Sequence, residues 1–229
     1  MRRTHNQLKF EFLRDHVKRG SQVLDMGCGF GGDFHKWGRI GANVIGADPS
    51  EFSLQEARRR FPDASLLEGD IFKVPRTLRF DVICFNFSLQ YCKPHLKLAL
   101  QRCYELLREN GKIVGVIPDG SKIADRGEHY VRSDPEHITM YIPDSPYYQA
   151  YGPVTEPIVY KRDLTSAARG LFDLVHWSDF SDGIYSKFIL RKDVNSDRII
   201  ARTVRMGPDI DQGPASHGRG ASQVQNSHG

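Results

Sequence analysis

A glycine run flanked by carboxylates, VLDMGCGFGGDFHKW at positions 23–37, is the stretch whose residue types and spacing most clearly suggest chemistry. An apolar segment leads into Asp25, and glycines follow from position 27 to position 32. Glycines after a strand let the backbone approach a ligand closely at the start of a helix. The spacing Gly27-x-Gly29-x-x-Gly32 also satisfies the dinucleotide-binding pattern, so the glycines alone leave the ligand open.

Asp25 narrows the choice of ligand. A strand that feeds a pyrophosphate site is not expected to end in a carboxylate beside the phosphates, whereas a carboxylate is favourable where the ligand carries cations. S-adenosylmethionine carries two cations, an ammonium and a sulfonium. The alternative for Asp25 is a carboxylate that accepts hydrogen bonds from loop amides, and the two roles are compatible.

Two more carboxylates follow predicted strands further along the chain. Asp48 comes about 20 residues after the glycines, where a carboxylate can accept from ribose hydroxyls. Its alternative role is a helix cap, for which Ser50 is better suited. Asp70 can accept from an adenine amino group with Ile71 against the ring, or can be an ordinary turn residue. Because parallel strands end at one edge of a sheet, the three acids are expected to share that edge.

The order of apolar segments predicts an α/β fold. Strands alternate with helices of apolar periodicity, which favours a parallel sheet with helices on both faces. We predict strands at QVLDM, NVIGAD, ASLLEGD, FDVICFNF, KIVGVIP, DLVHWSDF and GIYSKFILRK. Residues 1–195 are predicted to form a single domain, in which 119–156 is a substrate-side insertion rich in Pro, Tyr, Asp and His. The polar residues 196–229 are predicted to be a disordered tail.

Composition sets limits on the class of protein. The chain of 229 residues is 39% hydrophobic and 26% charged, which is typical of a globular protein. No apolar run approaches the roughly 20 residues of a membrane helix, and MRRTHNQLKF lacks the apolar core of a signal peptide, so an intracellular protein is expected. The four cysteines form no CxxC pair, so reduced thiols are expected and zinc is not. The net charge of +4 permits a polyanionic partner without requiring one.

An ordered set of motifs resembles those of the mRNA cap guanine-N7 methyltransferases, within the class I S-adenosylmethionine-dependent methyltransferases. GCGFGGDFHKW is similar to that family's GCGxGGDxxKW stretch, and HNQLK is similar to its N-terminal Asn-Asn-x-x-Lys helix. FNFSLQYC resembles its Gln-Phe-x-x-His-Tyr segment, and VIPDGSKI resembles its T-x-Pro-(Asn/Asp) strand end. EPIV and GIYSKFILRK complete the set, which covers residues 5–192 in the family's order.

The resemblance implies a Rossmann-like class I methyltransferase fold, with a seven-stranded, mostly parallel sheet, helices on both faces and an antiparallel last strand. It implies S-adenosylmethionine as cofactor, S-adenosylhomocysteine as product and no metal. In that family's arrangement Lys9 would meet the methionine carboxylate, and Asn86 stands where the family usually has Gln near the amino group. The implied cofactor-binding residues are Lys9, Asp25, Gly27, Gly29, Asp48, Asp70, Ile71, Asn86, Phe87 and Tyr91.

The resemblance also implies a cap-binding set. Lys36 and Arg60 would approach the cap phosphates, and the guanine would be positioned by Gln90, Glu156 and Tyr185, with Pro118 beside it. A carboxylate can accept from both N1–H and N2–H of guanine, and an aromatic ring offers a stacking face worth about 1–3 kcal/mol. Guanine N7 loses no proton on methylation, so no catalytic acid or base is expected.

Each cap residue also has a plain structural alternative. Lys36 can be a lysine whose stem covers the surface, and Arg60 can complement a helix C-terminus. Glu156 can be a solvated surface acid, and Tyr185 can be packing on a strand. Phe30 stands where the family usually has Lys and Gln90 where it has His, which suggests weaker cap binding or dependence on another protein.

The sequence is also compatible with three other functions. They are a small-molecule methyltransferase, a nicotinamide dehydrogenase, which Asp25 disfavours, and a non-catalytic methyltransferase-fold subunit of a capping complex. The resemblance implies 5′-capped RNA as a partner. Candidate protein partners are the RNA triphosphatase, the guanylyltransferase or another capping subunit, and no membrane is expected. The expected location is the nucleus for a cellular protein and the host cytoplasm for a viral one.

Overall fold

The computed structural model of the chain describes residues 11–122, 130–141, 148–149, 152–180 and 185–193. These residues all belong to the first of two compact units, Met1–Ser196. Several sequence predictions lie outside the described residues. These are Lys9 and the start of the N-terminal helix, parts of the insertion at 119–156, and the tail at 196–229.

The elements of the described residues alternate between strand and helix, and residues 11–14 are also helical. The strands are β1 (Gln22–Met26), β2 (Asn43–Asp48), β3 (Ser65–Glu68), β4 (Phe80–Asn86), β5 (Leu107–Pro118), β6 (Tyr130–Asp134), β7 (His137–Met140), β8 (Val154–Pro157), β9 (Phe172–Phe180) and β10 (Tyr185–Lys192). The helices are α1 (Phe34–Ile40), α2 (Glu51–Arg60), α3 (Leu96–Leu106) and α4 (Lys161–Ala168), and a 3₁₀ helix spans Leu89–His95.

Seven strands form the main sheet, in the order β3-β2-β1-β4-β5-β10-β9. β10 runs antiparallel to both β5 and β9, and the pairs among β1 to β5 are parallel. The predicted seven-stranded, mostly parallel sheet with an antiparallel last strand is therefore confirmed. Its parallel strands end at a common edge, which carries the residues of the candidate site.

A second sheet, of antiparallel strands in the order β6-β7-β8, lies within the stretch that the sequence marked only as an insertion. The sequence did not predict these strands, because their apolar residues come singly and give no clear alternation. Ile138 on β7 pairs with Glu156 on β8, which brings Glu156 into an ordered sheet rather than a solvated loop.

The strand start that differs most from the sequence prediction is that of β5. β5 begins at Leu107, directly after α3, although the apolar run indicated a start at Lys112. α4 begins at Lys161, where the carboxylate of Asp163 accepts a hydrogen bond from the backbone N–H of the N-cap residue Tyr160 at 3.1 Å.

Hydrophobic cores lie on both faces of the main sheet. One contains Ile83, Phe85 and Phe188 together with residues of α3 and α4. The other contains Leu13 from the helical residues 11–14 and Trp37 from α1. These two cores confirm the predicted helix layers on both faces.

Two glycines, Gly46 and Gly38, are expected to respond in opposite ways to substitution by alanine. A Cβ at Gly46 on β2 would lie 2.4 Å from Cζ of Phe34, whereas a Cβ at Gly38 in α1 would meet no atom within 4 Å. We expect Gly46→Ala to lower the free energy of unfolding by about 1–3 kcal/mol, because the packed ring must move. Gly38→Ala, the matched control, should raise it by about 0.5–1 kcal/mol through helix propensity. Urea unfolding of both variants tests this, and equal effects would contradict the packing.

Candidate active site

The glycine loop after β1 is clamped between two strand ends. The N–H of Gly27 donates to the carbonyl of Ala47 at 2.7 Å. Gly27, Gly29 and Gly31 have φ of 77°, 54° and 72°, a region that favours glycine. A Cβ at Gly27 would lie 2.4 Å from Cβ of Ser88, in the turn after β4. Gly27 is therefore required both by its conformation and by the close approach of Ser88.

Gly32 has no such constraint, since a Cβ there would meet nothing within 4 Å. In dinucleotide-binding folds the third glycine of the pattern permits close packing of helix on strand. Gly32 does not serve that purpose here, which weighs against the nicotinamide-dependent alternative.

Asp25 ends β1 with its side chain buried. The residue is 3% exposed, and Nε1 of Trp37 donates to its Oδ2 at 3.3 Å. Burial, followed by the negative charge of Asp33, raises the pKa of Asp25 to about 7. An ionised Asp25 is therefore costly without a ligand, and a cation placed beside it would offset that cost.

Asp48 holds the glycine loop against the end of β2. Its Oδ2 accepts from the N–H of Gly29 and its Oδ1 from the N–H of Ser50, both at 2.9 Å. Ser50 caps α2 by accepting from the N–H of Ser53 at 3.2 Å, as its residue type predicted. Each carboxylate oxygen keeps a second acceptor site that a hydroxyl can use.

The end of β3 presents an exposed acid and an exposed aromatic ring. Asp70 is exposed and its Oδ1 accepts from the N–H of Phe72 at 3.0 Å. Ile71 is 1% exposed and belongs to the main core, whereas Phe72 is 45% exposed. The ring available to a ligand at this position is thus Phe72, which sequence reasoning missed because it singled out the residue directly after the acid.

Asp33 joins two of the predicted site residues. Its Oδ2 accepts from Nδ2 of Asn86 at 2.8 Å, and its Oδ1 accepts from Nζ of Lys36 at 2.8 Å. The Lys36 side chain is 14% exposed, so it lies in an ion pair rather than open to solvent. Asn86 Oδ1 is buried without a hydrogen-bond partner among the described residues. The i,i+3 spacing of Asp33 and Lys36 was the sequence signal for this pair.

Gln90 and Tyr91, on the 3₁₀ helix, meet Glu156 on β8 of the small sheet. Nε2 of Gln90 and the hydroxyl of Tyr91 donate to Oε2 and Oε1 of Glu156, each at 2.9 Å. Glu156 is 6% exposed and Gln90 is fully buried, while Tyr91 is 51% exposed. Oε1 of Gln90 has no hydrogen-bond partner within the described part of the chain. We call Gln90 and Glu156 with the Tyr91 hydroxyl the polar edge; its unsatisfied acceptor is Oε1 of Gln90.

Aromatic rings lie beside this edge. The rings of Phe87 and Tyr185 meet edge to face, with centroids 4.7 Å apart. Tyr185 is 3% exposed, pairs with Pro118 across the sheet, and its hydroxyl lies 3.4 Å from the sulfur of Met140. Phe87 has φ of 60°, a strained value for a non-glycine residue. Such strain is concentrated at functional sites.

Arg60, at the end of α2, lies against the glycine loop. Its guanidinium donates to the carbonyl of Phe30 at 3.3 Å. Phe30 in turn packs edge to face with Phe52, with centroids 5.9 Å apart, and Phe52 is 50% exposed. Arg60, the predicted contact to a cap phosphate, therefore lies next to Phe30, which stands where the cap enzymes usually have Lys.

No group of three or more His, Cys, Asp or Glu residues in the described ranges is arranged to hold a metal ion. The four cysteines are free thiols. In the same ranges, no helix has the length and apolar character needed to cross a membrane.

Comparison with known proteins agrees with this architecture. Residues 23–111 match a family model described as a methyltransferase domain. The crystal structure of the PH0226 protein from Pyrococcus horikoshii superposes with a TM-score of 0.65 at 18% identity, covering 80% of this chain and 87% of that one. The chain therefore has the fold of the class I methyltransferases, and residues 23–111 carry the match to a methyltransferase domain.

Two groups of curated proteins are similar to this methyltransferase-fold chain. It is 32% identical over 140 residues to the mRNA cap guanine-N(7) methyltransferase of Candida glabrata, covering 52% of this chain and 34% of the relative. It is 36% identical over 113 residues to the malonyl-[acyl-carrier protein] O-methyltransferase of Enterobacter lignolyticus, covering 47% and 45%. The match thus spans less than half of each relative. The resemblance to the cap enzymes is confirmed, beside a second group with a different acceptor.

The burial of Asp25 predicts a pH-dependent stability. Its pKa is raised from 3.8 to about 7, so between these values the folded protein binds a proton that the unfolded chain lacks, and this group's contribution to stability falls as pH rises. We expect Asp25→Asn to raise the free energy of unfolding at pH 8 by about 2 kcal/mol and to leave it nearly unchanged at pH 4. Urea unfolding at both pH values tests this. The exposed Asp63→Asn is the control, and a variant less stable than wild type at pH 8 would contradict it.

Proposed function

We propose that this chain transfers a methyl group from S-adenosylmethionine to N7 of the guanine in the 5′ GpppN cap of mRNA. The observation that carries the proposal is the buried pair of Gln90 and Glu156, which offers acceptors beside aromatic rings. The cap enzymes among the relatives support the same assignment. Capped RNA is then the partner, and the capping enzymes and cellular location named above remain predictions.

The residues at the sheet edge fit S-adenosylmethionine. Asn86 Oδ1 is a buried acceptor that needs a donor, and Asp25 is a buried carboxylate that needs a cation. β1 and β4 are paired, so both groups lie at neighbouring strand ends. An ammonium group would satisfy the two together. Gly27, Gly29, Asp48 and Asp70 would hold the rest of the molecule, with Phe72 against the adenine.

The orientation of the Asn86 amide supports this fit. Nδ2 is turned toward the carboxylate of Asp33, which can only accept a hydrogen bond when ionised. The oxygen is therefore fixed facing away from Asp33. In this proposal Asp33 positions Asn86 rather than binding the cofactor itself.

The polar edge suits guanine better than adenine. Guanine presents N1–H and N2–H donors, and the carboxylate of Glu156 is an acceptor held at this edge by hydrogen bonds from Gln90 and Tyr91. Gln90 Oε1 is a buried acceptor that a guanine donor would satisfy. Adenine carries an acceptor at N1, which would face these acceptors and leave them unpaired. Buried groups left unpaired discriminate strongly between ligands.

Aromatic rings would complete the guanine site. Tyr91 is half exposed while its hydroxyl is anchored on Glu156, so its ring is held in place and accessible. Phe87 and Tyr185 form a packed pair at the end of the same sheet. Stacking on such rings contributes about 1–3 kcal/mol per base.

The phosphate contacts are the weakest part of the cap site. Lys36 is paired with Asp33, so a cap phosphate would have to share its ammonium. Arg60 is exposed beside the glycine loop and can turn toward a phosphate. Phe30 supplies no charge, and the affinity for the triphosphate is expected to be modest.

Methylation at guanine N7 requires little acid–base chemistry from the protein. The cofactor, when bound, supplies an activated methyl group. Guanine N7 is a neutral ring nitrogen with an in-plane lone pair, so no proton has to be removed. The residues therefore act by alignment, which can lower the barrier by about 7–11 kcal/mol. Glu156 would also stabilise the positive charge that forms on the guanine.

A small acceptor carboxylate is the alternative suggested by the malonyl-[acyl-carrier protein] relative. Such a substrate would bring its own negative charge toward Glu156, which is buried and bonded to Gln90 and Tyr91. Two carboxylates in one buried site repel each other. This argues for a donor-bearing purine over an acidic acceptor. A non-catalytic subunit would have no use for the cofactor-binding set.

Cofactor binding should depend on the ionisation of Asp25. We expect the affinity for S-adenosylmethionine to rise between pH 6 and pH 8, because the ionised carboxylate, with its pKa near 7, attracts the cation. Asp25→Asn should weaken binding at pH 8 about tenfold and remove the pH dependence. Calorimetric titration measures both, with Asp63→Asn as control. Equal affinities of variant and wild type at pH 8 would count against contact with Asp25.

The guanine site is tested by Glu156→Gln. We expect kcat/KM for methylation of GpppG to fall at least about 100-fold, because an amide donor replaces an acceptor that the guanine needs. The Kd for S-adenosylmethionine should stay within about twofold of wild type, since Glu156 lies outside the cofactor set. Glu136→Gln is the matched control, an exposed acid near the same small sheet.

Labelled methyl transfer to GpppG, m7GpppG and malonyl-[acyl-carrier protein] separates the alternatives. Transfer to GpppG alone supports the proposal. Transfer to the malonyl thioester, or equal labelling of m7GpppG, would refute it. Parallel loss of cofactor binding and turnover in Glu156→Gln would show a general structural effect, and Tyr91→Phe, which removes one donor to Glu156, then provides a milder second test.

A further inference from the structure

A row of basic residues, three lysines and two histidines, follows the face of β9 and β10 that also carries Tyr185. It consists of Lys187, His176, Lys112, His16 and Lys18, and we call it the basic strip. Its members come from β10, β9, β5 and the segment at 11–20, so only the fold brings them together. The function proposed above does not use any of them.

Phe12 lies at the centre of the strip. The ammonium of Lys187 lies 5.1 Å from the centroid of the Phe12 ring, within the range of a cation–π contact. The ring of His176 lies 5.7 Å from the same centroid, and the ring of His16 lies 5.1 Å from it. Lys187, His176 and His16 therefore surround one aromatic ring.

The charge of the strip is poorly balanced. Lys18, Lys112 and Lys187 form no ion pair within the described residues. Burial and then the charge of Lys112 lower the pKa of His16, which Asp15 opposes only in part. Burial and then Lys187 lower the pKa of His176. Mutual repulsion of this kind is relieved by an anionic ligand.

The strip is continuous with the proposed guanine site. Tyr185 pairs with Phe180 on β9, and Lys187 pairs with Ser178. Residues two apart on a strand lie on one face, about 7 Å from each other. Lys187 is therefore the next side chain after Tyr185 on this face. His176 follows, since its ring bonds the hydroxyl of Ser178 at 2.8 Å.

We propose that the basic strip binds the sugar-phosphate backbone of the RNA that follows the cap. The inference rests on the proposed function, because it takes the guanine site as the starting point of the chain. The lysines would contact successive phosphates. His176 and His16, with lowered pKa values, would remain largely neutral and offer ring N–H groups to phosphate or 2′-hydroxyl oxygens.

RNA is favoured over an acidic protein segment by the form of the surface. The strip begins at an aromatic residue of the guanine site and continues in one direction. A capped transcript is a polyanion attached to that guanine, so it would enter the strip without a second recognition event. Because few residues are placed to bind the cap phosphates, contacts with the RNA body would add to the affinity.

The test compares substrates with and without an RNA body. KM is measured for GpppG and for a GpppG-capped RNA of about 20 nucleotides at several KCl concentrations. We expect Lys187→Glu to raise KM for the capped RNA about tenfold at low salt and to leave KM for GpppG within about twofold. The slope of log KM against log salt should decrease by about 0.7 for each phosphate that the variant no longer binds.

Two further variants serve as controls for the position and the sign of the charge change. Lys161→Glu makes the same charge change on α4, whose residues pack against the other face of the sheet, and should leave both substrates unaffected. Lys187→Gln removes the charge without reversing it and should give a smaller effect in the same direction. Thermal melting confirms that each variant is folded.

Direct binding separates failure of this inference from failure of the proposed function. Fluorescence anisotropy with an uncapped 20-nucleotide RNA should show weaker binding for Lys187→Glu than for Lys161→Glu, even if GpppG is not methylated. Equal affinities of these two variants would overturn the inference while leaving cap methylation intact. A poly-glutamate peptide that binds wild type as tightly as the RNA would overturn the assignment to RNA.

Discussion

The hydrogen bonds that Gln90 and Tyr91 donate to Glu156 are the interaction on which the proposed chemistry depends. They join the small sheet to the 3₁₀ helix that follows β4, and so bring an acid from the insertion to the carboxyl edge of the main sheet. A buried carboxylate without such donors would be strongly destabilising. Because these donors are uncharged, they hold the Glu156 carboxylate without forming an ion pair with it.

The segment after β4 combines several departures from ordinary packing. Asn86 and Gln90 each leave a buried oxygen unsatisfied, and Phe87 between them adopts a left-handed conformation. Buried unsatisfied acceptors and backbone strain each cost free energy and persist where function requires them. The two oxygens require hydrogen-bond donors, and the proposed ligands supply donors of two kinds. The ammonium of the cofactor would serve Asn86, and the polar edge of guanine would serve Gln90.

Charge is distributed unevenly around this edge. Asp25, Asp33 and Asp48 lie close enough to influence one another, since the charges of Asp33 and Asp48 both raise the pKa of Asp25. The face of β9 and β10 carries lysines and histidines instead. A cationic methyl donor suits the acidic part, and a polyanionic acceptor suits the basic part. The two substrates would thus be drawn to different sides of one site.

The sequence by itself determined the architecture and the placement of Asp25 and Asp48 near one edge of the sheet, because these depend on local signals. Apolar strands that lead into Asp25 and Asp48, with glycines between them, are patterns carried by residues close together in the sequence. The tertiary structure alone decided the small sheet and the exposure of Phe72 in place of Ile71. It also decided the convergence of Gln90 with Glu156 and of Lys187 with His16. These features arise from contacts between residues far apart in the chain or from which side chain burial leaves exposed, and neither is recorded in local periodicity.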